Sequence, residues 1–185
     1  GPWAGPVVAA ACYFTNNNSK KINTKIFEDS KKLSLKKRKE CYKHILELQK
    51  LSLINFSTGS ANVKEIDSLN ILRARLLAMK RAIIKLDYFG AIILVDGIQK
   101  PFLSEATFKS IVKGDNKSIS IAASSIIAKI ARDKIMQKLS YEFPEYGWES
   151  NMGYGTKKHS NAIKLFGINK HHRKTFKPIK KYYTE

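Results

Sequence analysis

Cysteine is nearly absent from this chain: Cys12 and Cys41 are the only two in 185 residues. One falls in an expected strand and the other on an expected helix. Their spacing is not one that builds a zinc site or a disulfide framework, so both are read as buried thiols. No apolar run reaches the roughly 18–20 residues a membrane span needs, and the first residues lack the charged start and apolar centre of a signal peptide. The expectation is a cytoplasmic protein without membrane attachment. Internal repeats and low-complexity linkers are missing too, and 185 residues suit one domain with a full core. Acidic residues are the other scarcity: 15 Asp and Glu stand against 34 Lys and Arg, a formal charge of +19. Such an excess favours polyanionic partners, nucleic acid foremost, through counterion release. An AT-rich genome, which enriches Lys, Asn and Ile, is the competing origin of the same excess. On that account the chain is a structural or interaction protein that binds no duplex.

What is present is an alternation of strands and helices. Val7 to Phe14 is a continuous apolar run and predicts a strand buried on both faces. Ser34 can cap a helix from Leu35 to Lys50 whose apolar side holds Cys41, Ile45, Leu46 and Leu48. Leu51 to Ser57 reads as a strand. A helix starting at Ser60 or Asn62 and reaching Leu86 follows from Ile66, Leu69, Leu72, Leu76, Met79, Ile83 and Leu86 at spacings of three and four. Ala91 to Val95 and Thr107 to Val112 predict two further strands, Ser120 to Leu139 a helix, and Lys157 to Phe166 a last helix. This order indicates an α/β fold with parallel pairing in part of the sheet.

Two acids stand out against the basic background. Asp96 closes the run Ala91 to Val95, and an acid directly after a buried strand of an open α/β sheet points toward the usual ligand crevice. Asp96-Gly97 is also a common turn dipeptide. Asp115 precedes a helix that begins with small residues, Ser118, Ser120, Ala122, Ala123, Ser124 and Ser125, and whose N-terminal dipole favours phosphate; an ordinary cap is the plainer role for it. Together the two positions suit metal-assisted phosphodiester chemistry. Lys31, Lys32, Lys117 and Ser118 flank this acidic centre and are the candidate phosphate contacts. Lys36-Lys37-Arg38-Lys39 reads as a solvated face. His171, His172 and Arg173 are candidates to meet a duplex backbone.

The string Lys113 to Lys129, continued by Arg132-Asp133, resembles the signature of bacterial ribonuclease HII. Gly1 to Ala11 is similar to that family's Gly-Pro-(Leu)-Ala-Gly-Pro-Val-Val-Ala-Ala-Ala segment, with Trp3 in place of an aliphatic residue. Asp29 to Arg38 is similar to its Asp-Ser-Lys-Lys-Leu segment, Glu65 to Ala82 to its long helix, and Leu94 to Gly97 to its Val-Asp-Gly strand end. Gly153 to Lys157, His159, His172-Arg173 and Thr175-Phe176 resemble its C-terminal part, so the likeness covers essentially the whole chain. It implies a ribonuclease H-like mixed sheet flanked by helices, in a single domain 1–185 whose residues 141–185 form a small helical C-terminal extension.

The activity so implied is endonucleolytic hydrolysis of the RNA strand of RNA/DNA hybrids and cutting 5′ of single ribonucleotides embedded in duplex DNA. It leaves 3′-hydroxyl and 5′-phosphate ends and serves ribonucleotide excision during DNA replication and repair. Four acids binding two Mg²⁺ or Mn²⁺ ions are implied, with Asp96 and Asp115 as the third and fourth. Asp133 is read as structural. Recognition of the ribonucleotide is implied for a Gly-Arg-Gly turn, whose last residue matches Gly1, and for Tyr154, which by residue type alone would be a surface loop aromatic. A monomer is expected. The family's Asp-Glu pair and Arg precede the position of Gly1, on a central first strand. The resemblance therefore makes these 185 residues an N-terminally truncated form of a working enzyme, poorly stable and nearly inactive alone. The alternative is a non-catalytic nucleic-acid-binding remnant.

Overall fold

Local signals place most elements where the side chains demand them. In the computed structural model, which describes residues 1–15, 20–27 and 33–183, strand β1 is Val7–Phe14 and helix α1 is Leu35–Lys50. The Ser34 hydroxyl accepts from Lys37 N at 3.3 Å to cap α1. The end of α1 displaces the next strand: Leu51 and Leu53 donate their N–H groups to Glu47 O and Leu48 O, and Ser52 takes φ 55°. That turn uses the residues read as the start of a strand, so β2 is Ile54–Ala61. Helix α2 is Val63–Ile84. Its start is the reciprocal box in which Asn62 N donates to Glu65 Oε2 at 2.9 Å and Glu65 N to Asn62 Oδ1 at 3.0 Å.

The expectation of an unbroken α2 with a Leu/Ile stripe is corrected. Asn70 adopts φ 68°, ψ 163°, and its Oδ1 accepts from Leu72 N and Arg73 N, so a second helical stretch is capped anew inside the first. The side chains buried on that second stretch are Ala74, Ala78, Ala82 and Ile83, whereas Leu72 is exposed. Close backbone approach explains the choice of alanine: a Cβ on Gly59 of β2 would collide with Ala78 O, Ala82 N and Arg81 Cβ.

Strands β3, Ile92–Asp96, and β4, Thr107–Ile111, pair in parallel, with Asp96 opposite Ile111. A 3-10 turn, Gly114–Asn116, leads into α3, Ile119–Glu142. Helices α4, Trp148–Asn151, α5, Lys157–Phe166, and α6, Lys177–Lys180, complete the chain, so α5 is not the last helix as expected. The α/β class is borne out, with the described strands joined as β1–β2 and β3–β4. Among the described residues β1 pairs with β2, and the strand is half-buried apart from exposed Tyr13, not buried on both faces as expected.

The chain divides into two compact units. One comprises Val8–Ser60 and Leu76–Ile130. Its core joins Phe27, Cys41, Ile45, Leu48 and Ile54 to Ala122, Ala123, Ile126, Ile127 and Ile130 of α3. Both thiols are free there. Cys41 is buried as expected and Cys12 half-buried; burial pushes the Cys12 thiol up to about 11. The other unit comprises Gly1–Val7, Ala61–Arg75 and Ala131–Glu185. Its core is aromatic, with Tyr146 and Trp148 packed among Ala4, Met136, Leu139, Ile163 and Ile179.

Candidate active site

Parallel pairing carries Asp96 to the C-terminal end of β3, where Gly97 N donates to Ile111 O at 3.0 Å and continues the ladder by one bond. The Asp96 side chain is exposed, and its Oδ1 accepts the Gly114 N–H at 2.9 Å. The chain from β4 must turn sharply to meet it. Lys113 takes φ 55°, and a Cβ on Gly114 would press on Ile121 and Ile111. This turn sets Asp115 one residue beyond the amide that anchors Asp96, at 4% exposure. The two acids that were 19 positions apart in sequence are thus brought to one end of the β3–β4 pair.

Lys117 and Ser118 follow directly. Their N–H groups donate to Gly114 O at 3.0 and 2.8 Å, and the Ser118 carbonyl accepts from Ala122 N in the first turn of α3. Lys117 is exposed and Ser118 half-buried. A cleft of about 370 Å³ opens here, lined by Thr24, Phe27, Asp115, Asn116, Lys117, Ser118, Ile119 and Ala122. The N-terminal dipole of a 24-residue helix and an adjacent lysine give this cleft a positive end. Lys31 and Lys32 lie outside the described residues.

Gly1 and Tyr154 belong to the other unit. The Tyr154 turn is built from a short lattice of bonds. Asn151 Oδ1 accepts from Gly153 N at 2.8 Å, Asn151 O from Tyr154 N at 2.8 Å, and Thr156 Oγ1 from His159 N as the cap of α5. Trp3 N donates to Gly153 O at 2.7 Å, and the Trp3 indole lies so close to Gly155 that a Cβ there would collide with it. Tyr154 stays 46% exposed. Gly1 is exposed at the start of the same segment.

Behind the turn is a cluster of rings that takes in His172. His159 and His172 are both 0% exposed, with Nε2 atoms 3.1 Å apart, and Trp148 Nε1 donates to His159 Nε2 at 3.2 Å. Burial lowers the pKa of both imidazoles, and for His172, with His159 beside it, to about 3. Arg173 donates to Gly5 O and Pro6 O and is 2% exposed; burial, with Arg132 near, lowers it to about 10. The expectation that His172 and Arg173 meet a duplex backbone is therefore corrected: both are consumed in packing. Adjacent positions His171 and His172 hid this, because the partner of His172 is thirteen residues away. Asp133 is buried within α3, and Lys36, Lys37 and Lys39 are exposed as expected, whereas Arg38 is half-buried and donates to Leu33 O. Among the described residues no group of three or more His, Cys, Asp and Glu is placed to hold a metal ion.

The sequence model of the family "Ribonuclease HII" matches residues 1–179. A relative named ribonuclease HII from Pelagibacter ubique is 50% identical over 179 residues, covering 97% of this chain and 91% of its own. The fold is similar to that of ribonuclease HII in a complex with PCNA from Archaeoglobus fulgidus, with TM-score 0.71, 19% identity, and 100% and 93% of the two chains covered. It is also similar to Bst-RNase HIII in complex with Mn²⁺, with TM-score 0.72, 19% identity, and 98% and 65% covered. At these identities the two structural likenesses speak for the fold.

Proposed function

We propose, from the premise that this chain belongs to the ribonuclease HII family and is a hydrolase of its endonuclease type, that it cleaves the RNA strand of RNA/DNA hybrids and cuts 5′ of single ribonucleotides embedded in duplex DNA. The observation that carries this reading is the bond from Gly114 N to Asp96 Oδ1 at 2.9 Å, which puts one carboxylate beside the turn holding the other. Asp96 and Asp115 offer hard oxygen donors, the kind Mg²⁺ and Mn²⁺ take alongside water and substrate phosphate oxygens. The donor set fits such an ion as part of its ligand shell. When bound, divalent metal would lower the pKa of the attacking water and stabilise the leaving oxygen.

The chain's own groups do the rest. Burial of Asp115 raises the value of a compensating cation at its carboxylate. Lys117, the Ser118 hydroxyl and the N-terminal end of α3 receive the phosphate next to the scissile bond. Lys31 and Lys32 are assigned to phosphate contacts on their place in the sequence beside the acidic residues. Tyr154 stacks at the ribonucleotide junction, and the backbone at Gly1 lies by the 2′-hydroxyl, the group that distinguishes RNA from DNA. No helix among the described residues is long and apolar enough to cross a membrane; a cytoplasmic monomer acting in ribonucleotide excision fits this reading, with residues 1–185 working as one domain.

The test is a cleavage assay with Mg²⁺ or Mn²⁺ on a duplex carrying one ribonucleotide. Asp96→Asn and Asp115→Asn should each lower cleavage by at least about a hundredfold, while duplex binding survives. Wild-type turnover in either variant would refute the assignment. Tight duplex binding by the parent chain with no turnover would select the non-catalytic binder instead.

A further inference from the structure

The turn carrying Tyr154 is gripped by side chains that the proposed reaction leaves without a role. Arg132 in α3 spreads its guanidinium across three backbone carbonyls: Nη1 donates to Met152 O at 2.9 Å, Nη2 to Ala4 O at 3.0 Å and Nε to Pro6 O at 3.1 Å. Two of these belong to the segment that begins with Gly1, and the third lies two residues before Tyr154. One planar fork therefore ties both segments together, a geometry that the single ammonium of a lysine does not reproduce. Arg132 Cζ also stands 5.9 Å from the centroid of the Tyr154 ring, within cation–π range.

From the other side His159 Nδ1 lies 2.9 Å from Tyr154 O. A carbonyl only accepts, so Nδ1 carries the proton. His159 Nε2 is then an acceptor, and its one in-plane lone pair is shared by the N–H of Trp148 at 3.2 Å and that of His172 at 3.1 Å. The inventory admits one tautomer of His159, and the ring is fixed by bonds at both nitrogens. Resting on the assignment of Tyr154 to the ribonucleotide junction, we propose that Arg132 and His159 are positioning residues for ribonucleotide recognition: they hold the Tyr154 ring at a set place relative to the Gly1–Pro6 segment.

The experiment uses the full chain in EDTA, so that it reads binding and not turnover. A DNA duplex carries a single ribonucleotide with 2-aminopurine beside it, and an all-DNA duplex serves as reference. Affinity is read by anisotropy and stacking by quenching of the 2-aminopurine. Arg132→Lys should lower the preference for the ribonucleotide duplex by about tenfold and remove the quenching. All-DNA affinity should stay within about twofold, because phosphate contacts carry it. His159→Leu should behave likewise, and His159→Asn, which keeps an N–H donor near the place of Nδ1, should restore both signals. If folded Arg132→Lys and His159→Leu keep wild-type preference and quenching while Tyr154→Ala loses them, the proposal is overturned. If Tyr154→Ala itself loses neither, the assignment of Tyr154 fails and the positioning role falls with it. Should Arg132→Lys not fold, the His159 pair decides alone.

Discussion

Acidification from pH 7.5 to pH 5 should cost this protein about 2 kcal/mol of folding stability through His172 alone. The ring is 0% exposed and its pKa in the folded chain is lowered from 6.5 to about 3, by burial first and by neighbouring His159 next. Its Nδ1 accepts from Asn169 N at 3.0 Å and its Nε2 serves His159 at 3.1 Å, so both nitrogens are already used by the neutral ring. The folded state thus binds fewer protons than the unfolded one throughout the interval between the two pKa values. Stability is complete above the unfolded value and is lost as pH falls toward the folded one, by up to about 1.4 kcal/mol per pH unit. His159 and His171, both lowered by burial, add to the loss with the same sign. Urea titrations at pH 7.5, 6.5, 5.5 and 5.0 measure it, in a range that ends before most carboxylates titrate. His172→Gln should be less stable at pH 7.5 and should show a shallower slope. A flat unfolding free energy across the range, or an unchanged slope in His172→Gln, would refute the account of the cluster.

Substitutions at two positions test the backbone of the fold. Asn70 combines φ 68°, ψ 163° with a side chain that caps Leu72 and Arg73. Asn70→Ala keeps the strain and loses the cap and should destabilise by about 1–2 kcal/mol. Asn70→Gly relieves strain worth about 1–3 kcal/mol and should equal or exceed the parent in thermal midpoint; a glycine variant weaker than the alanine variant would show that the conformation is not strained. Gly59→Ala would push a methyl into the backbone of α2 at Ala78 and Ala82 and should cost about 1–3 kcal/mol in urea unfolding. A Gly59→Ala protein as stable as the parent would mean that β2 and α2 are not in close contact.

Short-range patterns carried most of the secondary structure. β1, α1 and α5 have the bounds their apolar runs and caps imply, because a Ser or Thr acceptor before a periodic stretch acts within a few residues. The misreadings arose where a tertiary partner decides. Leu51–Leu53 have strand-like composition but close the end of α1, and the leucines of α2 yield the core to alanines because β2 approaches too closely for anything larger. For the site, the order of motifs was enough to point to the family and to single out Asp96, Asp115 and Tyr154. It could not show that Asp96 is anchored on Gly114, since that bond exists only once β3 and β4 pair in parallel.

His172 and Arg173 show the limit most sharply. A basic pair near the end of a +19 chain suggests contact with phosphate, and nothing local says otherwise. The sequence by itself determined the charge, the periodicities, the caps and the family, all of which depend on residue type and near neighbours. Only the tertiary structure decided which cations face solvent and which are buried against backbone carbonyls. The desolvation of a charge depends on partners distant along the chain: Arg132 reaches Ala4 and Arg173 reaches Gly5 only after the two segments have packed together.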